Sequence, residues 1–156
     1  MEIRNLRDCL GKFATGVIIA ATSLDNKLDG MTINSFSSVS LDPPLVLFCV
    51  DNRSSNLAKF TKNEFFTLNI LSEDQQDLAT QFAMPDNDKK WLAEEYSLTN
   101  NGCPVFDNTL GYFECRKDRI IEAGDHHIII GEVVGFENLD ENKNPLLYFK
   151  SKFCRI

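Results

Sequence analysis

The sequence lacks the features that mark several large classes of protein. Its longest unbroken apolar run, residues 45–50, is far shorter than the ~20 residues that span a bilayer, and no secretory signal opens the chain. Its five cysteines are scattered without a C-x-x-C pair, which argues against both a disulfide framework and a zinc site. Its net charge of −7 offers no general basic surface to nucleic acid. We therefore expect a reduced, soluble, cytoplasmic protein that binds neither membrane nor nucleic acid.

Signatures of common catalytic sites are also missing from the sequence. No G-x-G-x-x-G or G-x-x-x-x-G-K-[ST] motif occurs, which argues against a Rossmann or P-loop enzyme, and no G-x-S-x-G elbow supports a nucleophilic hydrolase. The only two histidines, His126 and His127, are neighbours in a predicted strand, so their side chains point to opposite faces and do not chelate one ion. We therefore predict no metal site.

The chain does contain enough apolar material for one core. Its 156 residues are 43% hydrophobic, include twelve phenylalanines, and fit a single domain over 1–156. Strand patterns outnumber helix patterns and most connections suit antiparallel pairing, which predicts a mainly β fold, a small barrel with peripheral helices. The predicted strands are 17–22, 45–50, 65–71, 110–122, 126–136 and 145–149. The predicted helices are 3–14, a short one around 57–60, 72–82 and 89–96.

Turn and capping residues mark where several of these elements begin. Residues 25–30 are typical of a hairpin loop. Ser54 or Ser55 is expected to cap the short helix that follows, and Ser72 with Gln75 has the spacing of a capping box.

The last long hairpin has its own signals. A tight turn is expected at 123–125, between two strands of similar length. Gly131 and Gly135 lie inside the second of these strands, which predicts a bulge or a close backbone approach there.

The stretch 30–50 carries the strongest chemical signal. It combines five hydroxyl side chains and one amide with a Pro-Pro pair, and it ends in the apolar run 45–50. We expect that run to be a strand buried on both faces, with the prolines at its entry or in the preceding turn. The hydroxyls either cradle a polar, anionic ligand or form a Ser-rich loop that caps its own backbone.

Neighbouring residues are consistent with the first of these alternatives. If residues 31–36 are extended, Thr32, Asn34 and Phe36 share one face. Arg53 and Lys59 flank the short helix after the apolar run; they are either surface charges or phosphate contacts that supplement the hydroxyls.

Three segments resemble the flavin reductase-like family of short NAD(P)H:flavin oxidoreductases, which includes the reductase components of two-component flavin monooxygenases. The first, 30–46, reads GMTINSFSSVSLDPPLV; the second, 124–133, reads GDHHIIIGEV; the third, 145–148, reads PLLY. The resemblance covers nearly the whole chain, from the segment 13–17 to the C-terminus. It implies an FMN-binding split barrel, a Greek-key antiparallel barrel that forms a homodimer and holds flavin near the subunit interface.

The resemblance also implies where the flavin site lies. The Thr-x-Asn-Ser segment is expected along the flavin ring and ribityl chain, and the strand end 49–51 near the ring. The following hydroxyls and the polar turn after the buried strand are expected to bind the phosphate. The Gly-Asp-His histidine, His126, is expected where nicotinamide packs over the flavin. The implied cofactor-binding residues are Thr32, Asn34, Ser35, Phe36, Ser37, Ser38, Cys49, Val50, Asp51, Arg53, Ser54, Lys59 and Phe82.

The implied activity is NAD(P)H-dependent reduction of flavin by hydride transfer to its N5 atom. FMN is the expected flavin, with FAD and riboflavin as alternatives, and NADH or NADPH is the expected co-substrate. The reduced flavin would pass to a monooxygenase or another acceptor. The alternative function is that of an FMN-binding electron carrier on the same barrel, without flavin turnover. A barrel resembling pyridoxamine-phosphate oxidase or a haem-handling barrel fits the Gly-Asp-His motif poorly.

Overall fold

The computed structural model describes residues 2–85, 91, 94–139 and 142–156. Within these ranges the helices are α1 (Ile3–Leu10), α2 (Leu57–Lys62) and α3 (Gln76–Ala83), and a 3-10 turn at Glu73–Gln75 precedes α3. The strands are β1 (Thr15–Gly16), β2 (Ile18–Leu24), β3 (Lys27–Ile33), β4 (Ser37–Leu41), β5 (Pro44–Asp51), β6 (Phe65–Ile70), β7 (Tyr96–Leu98), β8 (Pro104–Phe106), β9 (Gly111–Ala123), β10 (His126–Asn138), β11 (Leu147–Phe149) and β12 (Lys152–Cys154).

Seven strands form one antiparallel sheet in the order β3-β2-β6-β9-β10-β5-β4. Its two edge strands, β3 and β4, are consecutive in the chain and are joined by residues 34–36. A link this short reaches at most about 14 Å, so the two edges lie close together and the sheet must curve. The result is an antiparallel barrel that stays open along one seam, between β3 and β4. The predicted mainly β, Greek-key split barrel with peripheral helices is confirmed.

The inside of the barrel is packed with aromatic and branched side chains. Phe48 and Phe66 meet edge to face with ring centroids 5.3 Å apart, and Phe60 reaches the same cluster from α2. Leu68 and Ile129, both fully buried, continue this core from β6 and β10. Burial of such side chains is the main favourable term in folding.

A second core lies on the outer side of β2, where α3 covers the sheet. Ile19 and Ala21 pack there against Leu78 and Phe82 of α3, together with Trp91. Because Ile18 and Ala20 face the inner core, β2 is buried on both faces.

The expectation that residues 45–50 are buried on both faces is wrong. Along β5, Val46, Phe48 and Val50 are buried, while Leu45, Leu47 and Cys49 between them are only half-buried. The ladder pairs β5 with β4 and β10 on its two edges, but no described helix covers its outer face. The Pro-Pro pair lies in the β4–β5 turn and at the start of β5, as predicted, and the Asp42–Pro43 peptide bond is cis.

The predicted hairpin loop 25–30 is much shorter in the structure. Asp25 and Asn26, with φ of 53° and 62°, form a two-residue turn, and β3 begins at Lys27. Residues of this type tolerate positive φ, so the turn needs no further residues. Gly30 therefore lies within a strand, where a Cβ atom would come 3.1 Å from the ring of Phe82 and 3.2 Å from Trp91.

Two helix ends differ from expectation. The first helix ends at Leu10 instead of near residue 14, because Gly11 caps it and its carbonyl accepts the Lys150 N–H at 2.7 Å. Neither Ser54 nor Ser55 caps α2, since the Ser54 hydroxyl instead accepts the Asn56 N–H at 3.2 Å.

One predicted cap is present in the structure. The capping box of Ser72 and Gln75 is confirmed at the turn before α3. The final predicted strand shortens to β11.

Six of the described strands, β1, β3, β4, β7, β8 and β12, were not predicted. The side chain of Asn69 holds β8 in place, because its oxygen accepts the Phe106 N–H at 3.1 Å and its amide donates to the Ile19 carbonyl at 3.2 Å. Most of the helix predicted at 89–96 lies outside the described residues, and its last residue, Tyr96, begins β7.

All five cysteines are unpaired. Burial raises the pKa of both Cys103 and Cys115 to about 12, so these two thiols stay protonated. None of the described helices is long and apolar enough to cross a bilayer. The described residues also contain no group of His, Cys, Asp and Glu arranged to hold a metal ion.

The glycines of β10 behave as predicted. The ladder between β9 and β10 shifts register at 130/131 and again at 133/135, next to Gly131 and Gly135. A Cβ atom at Gly131 would lie 2.4 Å from the Cζ atom of Phe66 and 2.9 Å from the Cβ atom of Cys115. At Gly135 the nearest atom would be 3.5 Å away, an ordinary contact.

Gly131→Ala should therefore destabilise the barrel, whereas Gly135→Ala should not. The added methyl group at 131 overpacks the inner core against Phe66, which typically costs about 1–3 kcal/mol. Chemical unfolding, followed by circular dichroism, measures the free energy of unfolding of both variants, which lie on the same strand. Equal stability of the two variants would contradict the close approach at Gly131.

Candidate functional site

A groove opens beside the seam, between β3 and the turn that follows β5. We call it the loop groove; its volume is about 370 Å³. Its lining residues are Met31, Thr32, Arg53, Ser54, Ser55, Asn56, Phe82, Ala83, Met84 and Pro85. Four consecutive polar residues of the turn thus face the end of α3 across the groove.

The polar groups of the loop groove are only partly satisfied within the described chain. Asn56 is only 8% exposed, and its buried side-chain oxygen has no hydrogen-bond partner among the described residues. A buried polar atom left unpaired is costly, which makes a ligand partner the natural explanation. The Ser54 hydroxyl accepts the Asn56 N–H, so its own proton remains to donate.

Arg53 is held in place by Asp51. Its Nε and Nη2 atoms donate to the two carboxylate oxygens at 3.1 and 2.8 Å, and its backbone N–H donates to the same carboxylate at 2.8 Å. These bonds hold the pKa of Asp51 well below its usual range. A guanidinium has five N–H donors, so those not bound to Asp51 can still bind an anion.

The turn after β5 is tied to the β9–β10 turn. The backbone N–H of Asn52 donates to the Asp125 carbonyl at 2.9 Å, and its side chain contacts the Gly124 carbonyl at 3.4 Å. The Nδ1 atom of His127 lies 2.7 Å from the Asn52 side-chain oxygen. The Gly-Asp-His motif and the Asp51–Arg53 pair, far apart in sequence, are therefore brought together.

The two histidines differ as expected from strand geometry. His126 pairs in register with Asp51, on the outer face of the sheet, while His127 pairs with Val50 of the inner core. The side chain of His126 is 42% exposed and that of His127 is 19% exposed. The Nδ1 atom of His126 lies 2.7 Å from the Asp125 carboxylate, and this bond lowers the pKa of Asp125.

The Thr-x-Asn-Ser segment forms the rim of the seam. Thr32 lines the loop groove, and its hydroxyl donates to the Ala79 carbonyl of α3 at 2.6 Å. The Ser35 hydroxyl accepts the Cys49 N–H at 3.0 Å and lies 3.3 Å from the Cys49 carbonyl. Phe36 stacks on Phe113, with centroids 5.9 Å apart and planes 7° from parallel.

Other predicted residues lie elsewhere. Ser37 and Ser38 are exposed on edge strand β4, where the Ser37 hydroxyl donates to the Ser38 carbonyl at 3.0 Å. Lys59 forms an ion pair with Asp29. None of these three predicted residues belongs to the lining of the loop groove. Phe82, by contrast, is buried and also lines that groove.

A second groove adjoins the loop groove and shares Thr32, Ala83 and Met84 with it. We call it the hairpin groove; its volume is about 380 Å³. The remaining lining residues are Val17, Ile33, Asn34, Thr80, Tyr148, Ser151, Lys152 and Phe153.

Sequence reasoning missed Ser55, Asn56 and the residues of the hairpin groove after Asn34. Ser55 and Asn56 stand beside predicted Ser54 in the same polar turn, which was the available signal. For Lys152 no comparable signal exists, because β12 was not predicted.

Two larger cavities lie away from these grooves. They measure about 540 and 500 Å³ and share Glu95, Asp107 and Lys143 in their linings. They contain none of the predicted site residues, so the chemistry of the lining, and not cavity size, identifies the candidate site.

The assembled grooves and the Gly-Asp-His turn agree with the comparison to known families. Residues 10–156 match the family model of the flavin reductase like domain. The chain belongs to this family. It is 38% identical over 153 residues to the FMN reductase (NADH) SmoA of Agrobacterium fabrum, which covers 98% of this chain and 86% of that protein.

Two further relatives show the range of this family. The stachydrine N-demethylase reductase subunit Stc3 of Rhizobium meliloti is 42% identical over 136 residues, which is 86% of this chain and 59% of that protein. The structure of the Streptomyces globisporus NADH:FAD oxidoreductase SgcE6, in complex with NAD and FAD fragments, matches with a TM-score of 0.94 at 31% identity, covering 99% of this chain and 93% of that one. This chain spans about half the length of the first curated relatives it matches, 43%, 59% and 44% of them.

Proposed function

We propose that this protein binds FMN at the seam of the barrel and reduces it with NADH or NADPH. The observation that carries the proposal is the loop groove, where Arg53 and the unpaired oxygen of Asn56 lie beside the turn that carries His126. The similarity to the FMN reductase SmoA and to SgcE6 supports both cofactors, and FAD is the alternative flavin.

The residues of the loop groove fit the phosphate and ribityl chain of a flavin. Ser54 and Ser55 bind the phosphate with their hydroxyls, and Arg53 adds a charge-assisted bond while Asp51 fixes its orientation. The unpaired Asn56 oxygen accepts a bond from a ribityl hydroxyl. In a chain of net charge −7 such local donors must hold the phosphate, because the overall field repels it.

Around the ring we propose the residues that the family resemblance implies. Asn34, Ser35 and Phe36 lie along it at the rim of the seam, and the strand end 49–51 lies beside them through the Ser35–Cys49 bonds. His126 positions the nicotinamide. Bound flavin supplies the hydride acceptor, its N5 atom, and the nicotinamide supplies the hydride. The chain contributes closeness and orientation, and the hydride step needs no strong general acid from it.

Changing Ser54 and Ser55 together to Ala should weaken FMN binding. Each lost hydrogen bond to a charged group is worth about 1.5–3 kcal/mol, so the dissociation constant should rise at least about tenfold. The matched control is Ser37→Ala with Ser38→Ala on exposed strand β4, which should bind FMN normally. Titration of the apoprotein with FMN, followed by flavin fluorescence, compares them. If the Ser37 and Ser38 variant binds FMN more weakly than the Ser54 and Ser55 variant, the phosphate lies at β4 instead.

His126→Ala should slow the reduction of bound FMN by NADH. Loss of one positioning contact is worth about tenfold, roughly 1.4 kcal/mol, in rate or in the Michaelis constant for NADH, with FMN affinity nearly intact. Stopped-flow bleaching of flavin absorbance measures this rate directly. His127→Ala serves as the control, because it removes the bond to Asn52 and the contact with Glu122 and should lower thermal stability instead. A slowed rate in His127→Ala with a normal rate in His126→Ala would reverse the two assignments.

The same measurement separates an enzyme from an electron carrier. An enzyme oxidises NADH continuously when free FMN is added, whereas a carrier keeps its FMN and shows little turnover. Failure of both NADH and NADPH to bleach the flavin would leave only the carrier function.

We propose that the protein is a homodimer. Val39 and Leu41 on β4 and Phe136 on β10 are 48%, 93% and 73% exposed, and Ile3 and Leu10 of α1 are 66% and 64% exposed. Contact with a second copy of the chain would remove such large apolar side chains from water. Sedimentation equilibrium should give twice the mass of the 156-residue chain; a monomer with bound FMN would contradict this.

The acceptor of the reduced flavin is proposed to be an oxygenase. The curated relatives include reductase components of two-component monooxygenases. A cytoplasmic location is proposed as well, since all five cysteines are free.

A further inference from the structure

The turn formed by residues 52–56 carries the proposed phosphate ligands, yet most of its hydrogen bonds are local. The N–H groups of Arg53 and Ser54 both bond Asp51, at 2.8 and 2.9 Å. The N–H group of Asn56 bonds the Ser54 hydroxyl at 3.2 Å. Such bonds shape the turn, but they do not attach it to any strand other than β5.

Asn52 supplies that attachment. Among the described residues, the hydrogen bonds between this turn and a part of the chain distant in sequence all come from Asn52. Its backbone N–H donates to the Asp125 carbonyl at 2.9 Å, and its Nδ2 group donates to the Gly124 carbonyl at 3.4 Å. Its Oδ1 atom lies 2.7 Å from the Nδ1 atom of His127. One side chain thus joins the turn 52–56 to both the β9–β10 turn and the start of β10.

His127 is a firm anchor for this contact. It lies in β10 opposite Val50 of the inner core, and its side chain is only 19% exposed, whereas Asn52 is exposed. Because the Nδ2 group of Asn52 faces the Gly124 carbonyl, its Oδ1 atom faces the histidine, and the bond requires a proton on Nδ1 of His127. A half-buried ring on a paired strand therefore holds an exposed turn.

We propose that Asn52 and His127 are positioning residues for the flavin phosphate, which they do not touch. The bond between them holds the turn 52–56 in the conformation that binds the phosphate, so less order has to be gained when FMN binds. The two neighbouring histidines then serve two ligands of one reaction: His126 serves the nicotinamide, and His127 serves the flavin through Asn52. The inference rests on the proposed flavin site, because it takes this turn as the place where the phosphate binds.

Asn52→Ala and His127→Ala each remove the bond, and FMN and riboflavin are the two probes. Riboflavin has the ring and ribityl chain of FMN but lacks the phosphate. Each variant should bind FMN about fivefold more weakly than the wild type, the effect of one hydrogen bond between neutral groups, and bind riboflavin normally. The double variant should bind FMN no more weakly than Asn52→Ala, because both lack the same bond. Titration of the apoprotein, followed by flavin fluorescence, measures these constants.

Two further variants are controls. His127→Asn keeps an N–H donor close to the position of Nδ1 and should bind FMN like the wild type. Asn101→Ala removes a bond of 3.0 Å to the Glu114 carboxylate from an exposed residue outside the loop groove, and should bind both flavins normally. Equal weakening of FMN and riboflavin in Asn52→Ala and His127→Ala would mean that these residues only stabilise the fold. That result, or normal binding of both flavins, overturns the proposal.

Hydrogen exchange tests the same bond without any flavin. In the apoprotein, the N–H groups of Arg53 and Ser54 should exchange faster in Asn52→Ala and His127→Ala than in the wild type, because the turn is no longer held against β10. Asn101→Ala should exchange at the wild-type rate. Wild-type exchange in all three variants would contradict the positioning role.

The failure of this inference can be told apart from the failure of the proposed flavin site. The variant with both Ser54 and Ser55 changed to Ala is titrated with the same two flavins, and the ratio of the riboflavin to the FMN dissociation constant is compared. If the ratio falls in this variant and not in Asn52→Ala, the turn binds the phosphate without help from Asn52 and His127, and only this inference fails. If the ratio falls in neither variant, the phosphate binds elsewhere and both proposals fail.

Discussion

The candidate site depends on one hydroxyl group that substitutes for a missing strand. At Cys49, β5 has run past the end of β4, so its backbone edge has no neighbouring strand there. The Ser35 hydroxyl bonds both the N–H and the carbonyl of Cys49, the two groups that a strand would otherwise pair. This satisfies the exposed edge while residues 34–36 cross the seam. The barrel can therefore stay open at this point without unpaired backbone, and the groove beside it remains accessible.

Charge in this acidic chain is arranged locally. Asp51 orients Arg53, Asp125 lies against His126, and Asp29 pairs with Lys59. The first two pairs are well exposed, and such pairs contribute little to stability. Instead, the two carboxylates fix the orientation of the Arg53 guanidinium and the His126 ring beside one turn. An anionic cofactor then meets positioned donors even though the chain as a whole carries net negative charge.

Sequence patterns predicted the elements that obey local rules and missed those that depend on tertiary contacts. The hairpin around 123–125 and the close approach at Gly131 were predicted, since glycine and strand periodicity are local signals. The apolar run 45–50 was assigned two buried faces because periodicity does not show whether a helix covers the sheet. The capping roles of Ser54 and Ser55 were misassigned because residue type does not show which N–H group a hydroxyl will bond in the folded chain.

The candidate site, too, was predicted where motifs in the sequence marked it and missed where tertiary contacts bring residues together. The family resemblance named Thr32, Arg53, Ser54 and His126, and the structure assembles these around one turn and one groove. It gave no reason to expect β12, whose residues reach the hairpin groove because a two-residue turn folds them back on β11.

Gly30 has a wider consequence than its place in a strand suggests. With only a hydrogen atom there, the rings of Phe82 and Trp91 rest directly on the backbone of β3. Phe82 belongs to the end of α3, and the residues that follow it, Ala83 and Met84, form the wall common to both grooves. Because Gly30 has no side chain, nothing separates the backbone of β3 from these two rings. Residue size at position 30 sets the gap between strand and helix, and with it the width of two grooves at once.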